Sequence, residues 1–240
     1  MRLLTALALV LALILTGKGG NSHEFWIEPL AFVVETDAPK GLHPVKGRLG
    51  DFPALSLPPQ GDGLVAVVHA STDELVTYPS WAKFKSFVAD KELTGTLETH
   101  QEQNWPLQEI REVYSRYAKT LIASGSGNGA DRASGLENEI VALANPYDNN
   151  LKSSLPVQVL YRGRPRKNIQ IEVFTRRGPS GGVTKTRLRT DSKGIANILV
   201  LPQTDYLINA VTMRRPNPEK KLDMDVYWES LWASLTFRIP

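Results

Sequence analysis

From residue 155 onward the chain is a succession of short apolar runs rich in β-branched residues, and that rhythm restricts what it can become. Residues 155–161, 169–174, 185–190, 196–201, 206–213 and 231–239 each have the length and composition of a strand. Turn-forming groups such as Arg162-Gly163-Arg164-Pro165 and Asp191-Ser192-Lys193-Gly194 separate them. Strands this short and this regularly spaced predict a C-terminal β-sandwich over residues 149–240.

Residues 23–148 predict an N-terminal β-rich domain with two inserted helices. The runs at 31–34, 64–68 and 139–143 read as strands, between Pro and Gly breaks. Trp81, Phe84, Phe87/Val88 and Leu93 recur every three to four residues, which predicts an amphipathic helix over 81–93, started by Pro79-Ser80. Leu107, Ile110, Val113, Tyr117 and Leu121 follow Pro106 at helical spacing and predict a second helix over 107–122. The Gly/Ser-rich stretch 123–135 reads as a mobile loop. Trp228 and Trp232, flanked by Leu231 and Leu235, are expected in a core, with their segment running back toward the N-terminal half.

The N-terminus has the three-part pattern of a signal peptide. Arg2 supplies a positive start, residues 3–16 are almost wholly apolar, and residues 17–22 are small or polar. An apolar run of about 14 residues is too short to cross a bilayer as a helix. Small residues at Gly20 and Ser22 suit cleavage after residue 22, which leaves His23 as the first residue. Cleavage after Gly19 is a second possibility. Cleavage after Gly20 would give Asn21-Ser22-His23, whose amine, amides and imidazole can surround Cu(II) or Ni(II) in a square plane. With no cysteine after the apolar run there is no lipoprotein anchor. The expectation is a periplasmic protein without a membrane anchor after cleavage, acting as a monomer.

Removing residues 1–22 takes Arg2 and Lys18 and no acid, so the net charge falls from +3 to +1. No positive field remains to attract phosphates, which argues against a nucleic-acid partner. The absence of cysteine removes thiolate catalysis, zinc–thiolate sites and iron–sulfur clusters. No Gly-x-Ser-x-Gly elbow occurs, and the four histidines stand in separate contexts, so no catalytic residues are assigned and an enzyme is the lesser expectation.

An N-terminal His23 offers the α-amine and the ring on one residue, and the amine deprotonates near neutral pH. One more imidazole completes a three-nitrogen set suited to copper. His69, closing the apolar run 64–68, is the leading candidate for that imidazole. His43 and His100, in polar loop-like contexts, and Met213, a soft thioether for Cu(I), follow it. Three functions fit these residues. One is a Cu, Ni or Co accessory or carrier using His23 and His69, whose partner is the ion. Another is an envelope interaction module without metal, whose partner is an envelope protein. The last is a histidine-brace copper oxidase.

Several segments also resemble a known family: His23-Glu24-Phe25-Trp26-Ile27-Glu28-Pro29, Tyr114-Ser115-Arg116-Tyr117-Ala118-Lys119, Ala144-Asn145-Pro146-Tyr147, residues 155–161, Thr190-Asp191-Ser192-Lys193-Gly194 and residues 228–237. In this order they resemble domain-of-unknown-function family 4198, formerly labelled a NikM-like nickel-uptake substrate-specific component. The resemblance implies a periplasmic, mainly β protein with a histidine at its mature N-terminus and an Ig-like or Cna-B-like second half. The resemblance also implies a histidine beside the methionine of the penultimate strand, as in many relatives; this chain departs from that with Thr212 next to Met213.

Overall fold

A computed structural model describes residues 25–35, 61–178, 180–218 and 225–240. The elements in chain order are β1 (Val33–Val34), β2 (Gly63–Ala70), β3 (Glu74–Tyr78), α1 (Trp81–Asp90), α2 (Thr96–Glu102), β4 (Ile110–Ser124), β5 (Asn138–Ala142), β6 (Ser154–Tyr161), β7 (Arg164–Pro165), β8 (Gln170–Arg177), β9 (Val183–Arg189), β10 (Ile195–Leu199), β11 (Thr204–Arg214) and β12 (Trp228–Ile239). The chain is mainly β, as the strand rhythm predicts. No helix among the described residues is long and apolar enough to cross a membrane.

An eight-stranded sheet runs β1-β4-β12-β11-β8-β9, and β2 and β3 both pair with β4. A four-stranded sheet runs β10-β6-β5, with β7 on β6. The two sheets face each other. Leu121, Ile171, Val173, Ile208, Ala233, Leu235 and Phe237 of the large sheet bury against Ile140, Leu155, Val157, Val159 and Ile198 of the small one. Strand side chains alternate between faces, so the other face of the large sheet carries a separate set. There Tyr114, Val211, Trp228 and Trp232 pack against Phe84 and Val88 of α1 and against Leu93. The tryptophans are core residues, as expected.

The first predicted helix is α1. Ser80 caps it by accepting from the Lys83 amide at 3.4 Å, and Phe84 and Val88, four residues apart, are its buried stripe. The second predicted helix, over 107–122, is a correction: that stretch is β4. Its central position explains the misleading pattern. β4 is covered on both faces, so Ile110, Tyr114 and Ala118 are buried on one side and Val113, Leu121 and Ala123 on the other. Apolar residues then fall at helical spacings without a helical stripe. The second helix is instead α2, which the pattern did not mark.

The boundary expected near residue 148 does not divide the architecture. β4 lies parallel to β12, from Trp228↔Glu112 to Thr236↔Thr120, and β5 pairs with β6 across that point. The faces of β4 are covered from both halves, by Phe84 and Val88 of α1 on one side and by Ile140 of β5 with Leu155 and Val157 of β6 on the other. The Gly/Ser-rich loop is pinned as well. Ser126 N and Oγ donate to Asp62, and Asn145 Nδ2 donates to the carbonyls of Gly127 and Gly129.

The Asp191–Gly194 turn forms as read, with Asp191 Oδ1 accepting from the amides of Lys193 and Ile195. Gly194 has φ +73, and an added Cβ would lie 2.9 Å from Arg166 N and 3.1 Å from Val159 O. Gly194→Ala is therefore expected to lose about 1–3 kcal/mol of stability, read as a lower urea midpoint at unchanged slope.

Candidate functional site

The helix-side face of the large sheet is covered in two places. Helices α1 and α2 cover one end, and the segment Trp26–Phe32 covers the other. His69 lies between them. Residues paired across strands share a face, so His69, Ala118, Ser234, Asn209 and Glu172 form one row across five strands. His69 is exposed at the end of β2.

Phe25 sets its ring against His69, with centroids 5.3 Å apart and planes tilted 44°. The Arg116 guanidinium lies 5.7 Å from the Phe25 ring centroid and 4.8 Å from that of Tyr114. Arg116 Nη1 donates to Glu74 at 3.0 Å, and Tyr114 OH donates to the same carboxylate at 2.6 Å. Burial, then the bond to Glu74, raises the Tyr114 phenol above its ordinary value. The break between β2 and β3 makes this corner: Ser71 N donates to Arg116 O at 2.9 Å, and Arg116 N donates to Ser71 Oγ at 2.9 Å. Arg116 Nε and Ser234 Oγ are buried and find no hydrogen-bond partner among the described residues.

Beyond this corner lies a cavity of about 190 Å³, roofed by Trp26, Ile27 and Phe32 and floored by Phe174, Leu207 and Thr236. Thr236 Oγ1 donates to Ile27 O at 2.7 Å, and Ala123 N donates to Phe32 O at 2.8 Å, which hold the roof in place. Arg176 closes the rim by donating to Glu28 at 2.5 Å and to Asp205 at 3.1 Å. The bond from Arg176 is the largest influence on Glu28 and holds its carboxyl below the usual range.

Of the sequence-derived ligand candidates, the described ones stand apart from one another on this frame. His23 and His43 lie outside the described residues. His100 is fully buried; Trp228 Nε1 donates to its Nδ1 at 3.0 Å, and its Nε2 donates to Pro106 O at 2.9 Å. Both ring nitrogens are thus engaged. Met213 is half-buried against the aromatic cluster under the helices. Thr212, beside Met213, is buried; it donates to Asn138 Oδ1 at 3.0 Å and accepts from Arg166 Nη1. Neither His100 nor Met213 reaches His69, and no group of three His, Asp or Glu among the described residues could hold a metal ion. Sequence reasoning did not find Arg116 and Glu74 at the corner. Their only signal was Arg116's place in the Tyr114–Lys119 segment, misread as helix.

No curated protein and no solved structure matches the chain. A family model described as a domain of unknown function, DUF4198, matches residues 34–214. That span carries β2, β4, both helices and the whole smaller sheet, including His69 and Arg116. By this match over most of its length, with the strand order it frames, the chain belongs to the DUF4198 family.

Proposed function

We propose that this chain is an exported, periplasmic accessory or carrier protein that binds a transition metal, Cu(II), Ni(II) or Co(II), through His23 and His69. The observation that carries the reading is the Phe25–His69 ring contact. His23 is two residues before Phe25, and the covalent chain keeps the two Cα atoms within about 7 Å. A first-residue histidine would bring amine and ring to the exposed imidazole of His69. His69 alone cannot hold an ion, so donors from the mature N-terminus are what the site requires. An N-terminal amine with two imidazoles suits copper best. Such a site leaves positions open for handing the ion to another protein.

The test is calorimetric titration of the mature protein with Cu(II) and with Ni(II), after N-terminal sequencing. His23→Ala and His69→Ala are each expected to weaken binding about tenfold or more. Wild-type affinity in both variants would end this reading. The roofed cavity supports a second one, an envelope module recognising an apolar group without metal. It predicts that Leu207→Trp, which fills the cavity, abolishes partner capture while leaving Cu(II) affinity unchanged.

A further inference from the structure

A net charge near zero can still be unevenly placed. Without residues 1–22 the chain carries +1 overall, which leaves no general field to attract phosphates. The fold nevertheless gathers cations at one end of the smaller sheet, and two turns supply them. β6 passes into β7 through Arg162 and Gly163, whose φ values are 50° and 71°, and Tyr161 pairs with Arg164 across this two-residue loop. The chain continues through Arg166 and Lys167. The second turn is the one closed by Asp191, and it lies against the first: a Cβ added to Gly194 would stand 3.0 Å from Pro165 Cβ. Lys193 is thereby brought beside the Arg162–Lys167 segment.

These charges are poorly compensated where they stand. Glu137 holds Arg162 at 2.8 Å but is shared with Arg214 at 2.5 Å. The Asp191 carboxylate is engaged by the amides of Lys193 and Ile195. Arg164, Arg166, Lys167 and Lys193 have no ion-pair partner among the described residues. Arg164, Lys167 and Lys193 are exposed. Arg166 is half-buried, and its Nη1 donates to Val211 O at 2.9 Å and to Thr212 Oγ1. Burial holds its guanidinium below the ordinary value. A guanidinium partly withdrawn from water, facing only a carbonyl and a hydroxyl, lacks the counter-charge that offsets desolvation. An anion from outside would supply it.

The form of this end favours one kind of anion. Neither turn carries an exposed large apolar side chain, and none of these cations lines the cavity under Trp26. A peptide ligand needs a groove, side-chain pockets or a long strand edge, and β7 is two residues long. A plane of phosphates needs only cations projecting from a rigid end. We propose that this end of the smaller sheet is a peripheral docking surface for a bilayer rich in anionic phospholipid, with Arg164, Lys167 and Lys193 reaching the headgroup phosphates. Each cation close to such a surface contributes about fivefold in affinity. No apolar group inserts, so the docking is reversible and salt-sensitive. It is independent of the metal reading, since none of these residues belongs to the His69 corner.

The test is co-sedimentation of the full mature chain with vesicles of mixed phosphatidylcholine and phosphatidylglycerol, beside vesicles of phosphatidylcholine alone. Binding is expected only to the anionic vesicles at about 0.1 M salt. It should vanish at about 1 M, where the Debye length falls from about 10 Å to about 3 Å. Arg164→Gln, Lys167→Gln and Lys193→Gln combined should weaken it about a hundredfold. Removing three exposed charges elsewhere, with Lys83→Gln, Lys85→Gln and Lys152→Gln, should leave binding within about twofold. A wild-type chain that stays in solution beside the anionic vesicles overturns the proposal. So does a triple variant that binds like the wild type, or a control variant that loses as much as the triple variant does. Binding to soluble poly-glutamate with none to the vesicles also overturns it, and would make the partner an acidic protein segment.

Discussion

His100→Ala is expected to lower folding stability by about 4 kcal/mol, the largest single effect anticipated among the histidines. The ring is fully buried, with Trp81 at 5.0 Å, Phe84 at 5.4 Å and Trp105 at 5.5 Å between centroids. Truncation leaves a cavity among aromatic side chains that cannot collapse into it. It also strands two polar groups, the Trp228 indole N–H and the Pro106 carbonyl, each of which carries a desolvation penalty of about 1–3 kcal/mol when buried alone. An indole only donates, so His100 Nδ1 must accept and the proton sits on Nε2. His100→Phe separates the two contributions, since it restores the volume and leaves both groups unpaired; about half the loss should remain. Urea unfolding reads both variants. In either one, the stabilisation of the remaining folded protein by Cu(II) should be unchanged. A lost metal response with wild-type stability would instead make His100 a ligand.

The second large effect is a dependence of stability on pH set by Glu112. Its side chain lies under α1, where Tyr78 OH donates at 2.9 Å and Ser230 Oγ also donates. Burial pushes the carboxyl from 4.5 up to about 7, against the pull of the bonds from Ser230 and Tyr78. The folded state therefore holds a proton that the unfolded chain releases. Its contribution is fully present below about pH 4.5 and is lost as pH rises through 7, a change of about 3 kcal/mol. Carboxyls held low by arginine or lysine, such as Glu28, Glu137 and Asp90, act below this window and in the opposite sense. Asp131, also raised by burial, acts in the same sense as Glu112. Unfolding free energies at pH 5 and pH 8 test this: the wild type is expected to lose stability across the interval, and Glu112→Gln to remove most of that loss. Equal slopes in the two proteins would show that Glu112 ionises normally within the fold.

Residues 155–239 could be read almost strand by strand, because turns such as Asp191–Gly194 are set by local chemistry and the intervening runs have nowhere else to bury. The same holds for α1, where Ser80 and the Phe84–Val88 stripe act within a single helix. β4 could not be read this way. Whether Ile110, Val113 and Tyr117 mark one helical face or two strand faces depends on the sheet β4 joins, and that sheet is set by pairing with β12, more than a hundred residues away, between α1 and the smaller sheet. The candidate sites divide along the same line. The sequence by itself determined that a histidine follows an export-like segment and that His69 ends an apolar run. Only the tertiary structure decided that Phe25 lies on His69, that His100 is a packing residue, and that the turns carrying Arg164 and Lys193 stand side by side. Local propensities act over a few residues, whereas these contacts come from strand register, which is fixed by burying both faces of the large sheet at once.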